Sequence, residues 1–174
     1  MDFKYGELFD INNITEEEIK SINLFTSEFV DNGVRINCAL RNDQPLTDFQ
    51  QELLTSVEAA IAKSRTNTNL TLYRVIGYHA KYKLKKGDTF VDKGILEASL
   101  NKNIGEVIPF RKYLLIITVP KGASCLFDTP YNYRFEEAGV LFPQASAFRI
   151  TKIKKSNFLR KYNEVYCYLL PHNI

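Results

Sequence analysis

Apolar positions in the first third of the chain recur at helical spacing. Ile19, Ile22, Leu24 and Phe25 follow the polar run Thr15-Glu16-Glu17-Glu18, which reads as a capping box with carboxylates at the positive end of the helix dipole. A second helical segment is predicted over Asp31–Arg41, where Val34, Ile36, Cys38 and Leu40 fall near one another after a break at Asn32-Gly33. A third runs from about Leu46 to Lys63: Leu46, Phe49, Leu53, Val57, Ala60 and Ile61 fall at i, i+3/i+4 steps, and Thr47-Asp48 marks the start. The polar stretch Ser64–Asn69 reads as a loop.

From Leu70 onward the pattern changes to short segments with alternating, β-branched and aromatic residues. Strands are predicted over Leu70–Ile76, Thr89–Val91, Ile95–Leu100, Tyr113–Val119, Ala123–Phe127, Val140–Phe142, Ala147–Lys154 and Val165–Leu170. Lys86-Gly87-Asp88, Pro120-Lys121-Gly122 and Asp128-Thr129-Pro130 supply turn signals between them. Helices first and strands afterwards imply an α+β fold with a strand-built core. At 174 residues the expectation is a single domain over 1–174, helical over about 1–69 and sheet over about 70–174.

Composition narrows the class. With 45% hydrophobic and 25% charged residues, disordered, collagenous and coiled-coil chains are poor fits. The longest apolar run, Leu114–Val119, has strand length, so no membrane span is expected. Met1-Asp2-Phe3-Lys4 shows no basic region followed by an apolar one, so no signal peptide is seen. Cys38, Cys125 and Cys167 lie far apart, without the spacing of a disulfide framework or a zinc site. They read as buried free thiols and no metal is expected. A reducing cytosol suits such a chain, and it need not be the cytosol of the cell that made it.

Charge is unevenly spread. Residues 1–69 carry 6 Lys+Arg against 12 Asp+Glu, and residues 70–174 carry 17 against 8. An anionic ligand on the second part fits that division. No P-loop, GxGxxG, HExxH or GxSxG occurs, and the two histidines are His79 and His172, the latter in the C-terminal tail. The informative charge is Arg74, inside Leu70-Thr71-Leu72-Tyr73-Arg74-Val75-Ile76. Its guanidinium needs an anion, either a local carboxylate or a ligand. Glu97, among Ile95, Leu96 and Leu100, and Glu137, before Val140-Leu141-Phe142-Pro143, are the acidic counterparts.

The order of these pieces resembles the exoenzyme-type mono-ADP-ribosyltransferase toxins, a family marked by an Arg, a Ser-Thr-Ser segment and a Glu-x-Glu pair. Arg35-Ile36-Asn37-Cys38-Ala39-Leu40-Arg41 is similar to the family's helix. Leu72-Tyr73-Arg74 is similar to its arginine strand, and the run from Gly87 to Leu96 to the approach to Ser-Thr-Ser. The segment from Arg111 to Gly122 resembles the strand after the phosphate–nicotinamide loop. Glu137-Ala138-Gly139-Val140-Leu141-Phe142-Pro143 with Phe148-Arg149-Ile150 resembles the Glu-x-Glu strand and its partner.

The resemblance implies two roughly perpendicular, antiparallel-rich sheets forming an NAD cleft, with helices at its flank. Carried over residue by residue, Arg74, Arg111 and Asn37 would contact NAD, here a substrate, and Ser99 would support the cleft. His79 falls beside the nucleotide or is a plain strand-end histidine. Glu137 would act as general base toward an arginine acceptor, or is an exposed strand-end residue. Tyr131, Tyr133 and Phe135 fall in the target-recognition loop or are alternating strand core.

Two departures touch the catalytic pair. Gly139 stands where the family has its catalytic glutamate, and Glu97 and Ala98 stand where it has the first serine and the threonine. Three readings remain open: Glu97 supplies the carboxylate, projecting toward the space that Gly139 leaves; the domain is silent and binds a partner protein, such as a toxin translocation component; or Gly139 is an engineered or selected inactivation. The implied function is a toxin or effector transferring ADP-ribose from NAD to a macromolecule, arginine favoured, in the cytosol of a target cell. A protein target or partner is expected. The lysines from Lys81 to Lys86 and from Lys152 to Lys161 attract nucleic acid or an acidic target, or are a solvated face.

Overall fold

The computed structural model describes residues 5–27, 29–77, 84–104, 111–128, 138–156 and 162–171. A short helix α1 (Tyr5–Leu8) and strand β1 (Phe9–Ile11) precede three longer helices, α2 (Glu16–Thr26), α3 (Asn32–Arg41) and α4 (Asp48–Ala62). Strands β2 (Ser64–Thr66), β3 (Leu70–Gly77), β4 (Thr89–Val91), β5 (Glu97–Ser99), β6 (Arg111–Val119), β7 (Leu126–Phe127), β8 (Gly139–Leu141), β9 (Ala147–Lys154) and β10 (Asn163–Leu169) follow. The α+β order expected from the sequence is the order found.

Helix starts are set by the side chains that the sequence supplies. Thr15 Oγ1 accepts from Glu18 N–H at 3.2 Å while Thr15 N–H donates to Glu18 Oε2 at 2.7 Å. Thr47 and Gln50 repeat the arrangement at the head of α4. The anticipated break at Asn32-Gly33 lies earlier, ahead of Asn32, and both residues belong to α3. Asp31 holds the left-handed φ of 50° that starts the helix. Gly33 is there for room: a β-carbon on it would overlap the Phe25 carbonyl oxygen, so the glycine lets α3 abut α2.

The expected loop Ser64–Asn69 is a strand over its first half. Ser64–Thr66 pairs antiparallel with Phe9–Ile11, and Arg65 bridges to Ser124. Tertiary pairing overrides a polar local sequence here.

The remaining strands form one ladder in the order β4-β9-β10-β6-β3-β5-β8-β7. All its pairs are antiparallel except β10 with β6. The two sheet halves, β4-β9-β10-β6-β3 and β5-β8-β7, meet at one pair, Tyr73↔Ser99. The turns at Lys86-Gly87 and Lys121-Gly122 use glycines with φ of 90° and 81°. One core lies on the strands, with Leu72, Ile117, Val140, Phe142 and Phe148 fully buried. The second joins the helices to the smaller half-sheet through Ile22, Ile36, Val57, Ile61, Leu126 and Leu141.

Candidate functional site

Burial alternates along the start of β3, with Leu70 and Leu72 inside and Thr71 outside, and then stops alternating: Tyr73, Arg74 and Val75 are all half-buried. The interruption coincides with the junction of the two half-sheets. There Arg74 faces a cavity of about 490 Å³ lined by Phe25 and Thr26 of α2, Ser27, Asp31 and the α3 residues Gly33, Val34, Asn37, Cys38 and Arg41, together with Asn42, Ile95 and Glu97. That volume is in the range of small-molecule sites, ~300–1,000 Å³.

Three residues distant in sequence, Asn37, Arg74 and Glu97, thus meet at one cavity. Of its two described cations, Arg41 is neutralised: Nε and Nη2 donate to Asp92 Oδ1 and Oδ2 at 2.8 and 2.9 Å. Arg74 makes no ion pair or hydrogen bond among the described residues. An internal carboxylate partner, one of the two options its strand position left open, is not found there, so its guanidinium is available to a ligand anion.

Asn37 has a structural task as well. Its Oδ1 accepts from Ile95 N–H at 2.8 Å, and a β-carbon on Gly94 would overlap that oxygen and lie 3.0 Å from Asn37 Cγ. Asp92 Oδ1 also accepts from Gly94 N–H at 3.0 Å, and Lys93 pairs with Asp43. These contacts strap the connector from Asp92 to Ile95 onto α3. The strap fixes the start of β5, and with it Glu97. It is a set of residues that local sequence pattern could not bring together, because its partners stand 50 to 58 positions apart.

Glu97 lines the cavity and is half-buried. Its strand partner, however, is Leu141, while Ser99 is the residue opposite Gly139. The space over Gly139 is filled by Asp128, whose Cγ would lie 3.0 Å from a β-carbon there. Glu97 therefore lies two residues along β5 from the residue opposite Gly139, on the same face of the sheet. Ser99 is buried, and its Oγ accepts from Asn101 N–H at 2.8 Å. Cys38 is exposed at the cavity, contrary to the expectation of three buried thiols. The other two are buried, and desolvation pushes both thiols up to about 12.

Arg111 opens β6 with its backbone paired to Gly77, two residues beyond Val75 on the arginine strand. His79, Glu137, Tyr131, Tyr133 and Phe135 lie outside the described residues.

A second, wider groove of about 620 Å³ runs between α2 and α4. Its charged lining is Glu17, Glu18, Asp48 and Glu52, which repels a phosphate-bearing ligand. Chemistry rather than volume selects the cavity at Arg74. Among the described residues no cluster of ligating side chains suits a metal ion, and no helix is long and apolar enough to cross a membrane.

A family model described as ADP-ribosyltransferase exoenzyme matches residues 4–166. Among curated proteins no sequence relative is found. Solved structures similar to this one include Plx2a, an ADP-ribosyltransferase toxin from Paenibacillus larvae, at TM-score 0.78 and 21% identity over 90% of this chain and 87% of that one. The Clostridium limosum C3 exoenzyme is similar at TM-score 0.76 and 18% identity, over 91% and 87% of the two chains. C3stau2 from S. aureus, solved with NAD, is similar at TM-score 0.73 and 14% identity, over 91% and 88%.

Proposed function

Because the chain belongs to the ADP-ribosyltransferase exoenzyme family, we propose that it is a toxin or effector that binds NAD as substrate and transfers ADP-ribose to a protein, arginine being the favoured acceptor. The observation that carries this reading is the convergence of Asn37, Arg74 and Glu97 on one cavity.

Each residue suits a part of the dinucleotide. Arg74 offers a planar, permanently charged donor fork to the diphosphate, and such bonds are about twice as strong as neutral ones. Asn37 spends its Oδ1 on Ile95 and keeps its amide N–H groups for a ligand acceptor. Glu97 brings negative charge to a site where the nicotinamide ribose becomes cationic as nicotinamide departs. Charge aimed at a developing opposite charge is commonly the largest catalytic effect. In this reading Arg111 would give a second guanidinium to the diphosphate, and the acceptor base and target loop are Glu137 and Tyr131, Tyr133 and Phe135. Ser99, buried under the junction, keeps the β5 end in place.

Nicotinamide release from NAD tests the reading. The wild type is expected to turn NAD over, and Glu97→Gln to lose about 100-fold or more in kcat with NAD binding kept. Agmatine, a small guanidine, should raise the wild-type rate if arginine is the acceptor. Gly139 favours one other reading, a silent domain that binds a partner protein. Absence of turnover in a wild type that still binds NAD would decide for it.

A further inference from the structure

The sheet face that carries Glu97 carries a second carboxylate. Glu97 and Ser99 alternate onto the same face of β5, and Ser99 lies opposite Gly139, so Gly139 shares that face. The bonds Leu100 N–H to Ala138 O, 3.0 Å, and Phe142 N–H to Leu96 O, 2.9 Å, make Ser99–Gly139 a non-hydrogen-bonded pair, the kind whose side chains approach closest. On the other side of β8 the register runs from Leu126↔Leu141 and Phe127↔Val140 to Asp128, whose backbone N–H donates to Gly139 O at 3.1 Å. Asp128 therefore belongs to the same face, and it is fully buried.

Its carboxylate leans over Gly139. A β-carbon at 139 would overlap Asp128 Oδ1 and lie 3.0 Å from both Cγ and Oδ2. Gly139 is not among the residues of positive φ, so glycine stands there for the room it leaves rather than for its backbone freedom. A buried carboxylate is costly, and here the neighbouring strand has given up its side chain to hold one.

We propose that Asp128 is a second carboxylate of the reaction centre, laid across Gly139 from the next strand so that a fixed negative charge stands behind the nicotinamide ribose. The inference rests on the NAD-cleaving function proposed above. In the step it serves, the bond between ribose C1′ and the nicotinamide ring nitrogen breaks. The bonding pair leaves with nicotinamide and neutralises the pyridinium, and the positive charge passes to C1′ and the ring oxygen. Water or the acceptor nitrogen then gives its lone pair to C1′ and releases one proton to solvent or a carboxylate. Being buried, Asp128 acts through its charge and not by contact, as a positioning residue for that cation. In a site poor in water such a charge is felt more strongly than in solution.

Asp128→Asn keeps the shape and removes the charge. The expected result is a fall of at least 30-fold in kcat for nicotinamide release, with KM for NAD within threefold and the melting temperature within a few degrees. Gly139→Ala keeps the charge but pushes it aside, and kcat should fall at least tenfold. The exchange Asp128→Gly with Gly139→Glu, which returns a carboxylate to the same space, should recover kcat to within tenfold of the wild type. A turnover-competent wild type whose kcat is matched within twofold by Asp128→Asn overturns this inference and leaves the function standing. If Asp128→Asn fails to fold, a folded Gly139→Ala with full kcat overturns it equally. A wild type that releases no nicotinamide removes the function and this inference together.

Discussion

Glu18 illustrates how one side chain is used twice. It closes the capping box of α2 and accepts Lys63 Nζ at 2.7 and 2.8 Å, tying the start of α2 to the end of α4. Burial by itself would raise its pKa, but the hydrogen bonds from Lys63 and Thr15 outweigh that and hold the carboxyl below its ordinary value of 4.5. A depressed carboxylate contributes stability above its unfolded pKa and loses it as pH falls through the folded value. Glu18→Gln should therefore cost about 1 kcal/mol at pH 7 and little at pH 3, as read by thermal melts at both values; an equal cost at both would contradict the ion-pair account. The capping run was legible in the sequence. Lys63 as its partner was not, since 45 residues separate the two. Arg74 was legible for a different reason: a charge in an apolar strand demands an anion. Asp128 escaped notice because it stood in a turn signal, and its meaning depends on the register of β7 with β8.

At the scale of elements, the three long helices and the strands from Leu70 onward follow from periodicity and caps, with ends within a few residues. What periodicity missed is what depends on partners: β2 exists because Phe9–Ile11 lies alongside it, and α3 begins where α2 lets it approach. Gly33→Ala would place a methyl against the Phe25 carbonyl oxygen, a backbone atom that cannot rotate aside. Overpacking of that kind costs about 1–3 kcal/mol. Because α3 carries Asn37 and Arg41 of the cavity, the same substitution should weaken NAD binding severalfold, and urea unfolding with an NAD titration reads both effects. Unchanged stability would mean that the α2–α3 contact is loose. The strap from Asp92 to Ile95 shows the same logic in reverse: four residues with no regular structure are held by α3, and they aim Glu97 in turn.

At the scale of the molecule, the fold is two half-sheets joined at Tyr73↔Ser99, with the helices closing the side where the cavity opens. The long strands β3, β6 and β10 lie side by side in the larger half, so their amides should exchange last with deuterium. The three-residue ladder of β1 with β2 should exchange early, and late exchange there would place it in the stable core. The charge division read from the sequence has a structural counterpart. The acidic part forms the helical side, including the carboxylate-lined groove of α2 and α4, and the basic part supplies Arg74 to the cavity. Among the described residues, the helices contribute a neutralised cation, Arg41, and the sheet one without an ion-pair partner, Arg74. NAD binding in this cavity therefore turns on Arg74, and calorimetric titration of NAD into the wild type and Arg74→Ala tests it most directly. The expected result is saturable binding to the wild type and loss of at least 100-fold in affinity for Arg74→Ala at an unchanged melting temperature; equal affinity in a folded Arg74→Ala would contradict the placement of NAD in this cavity.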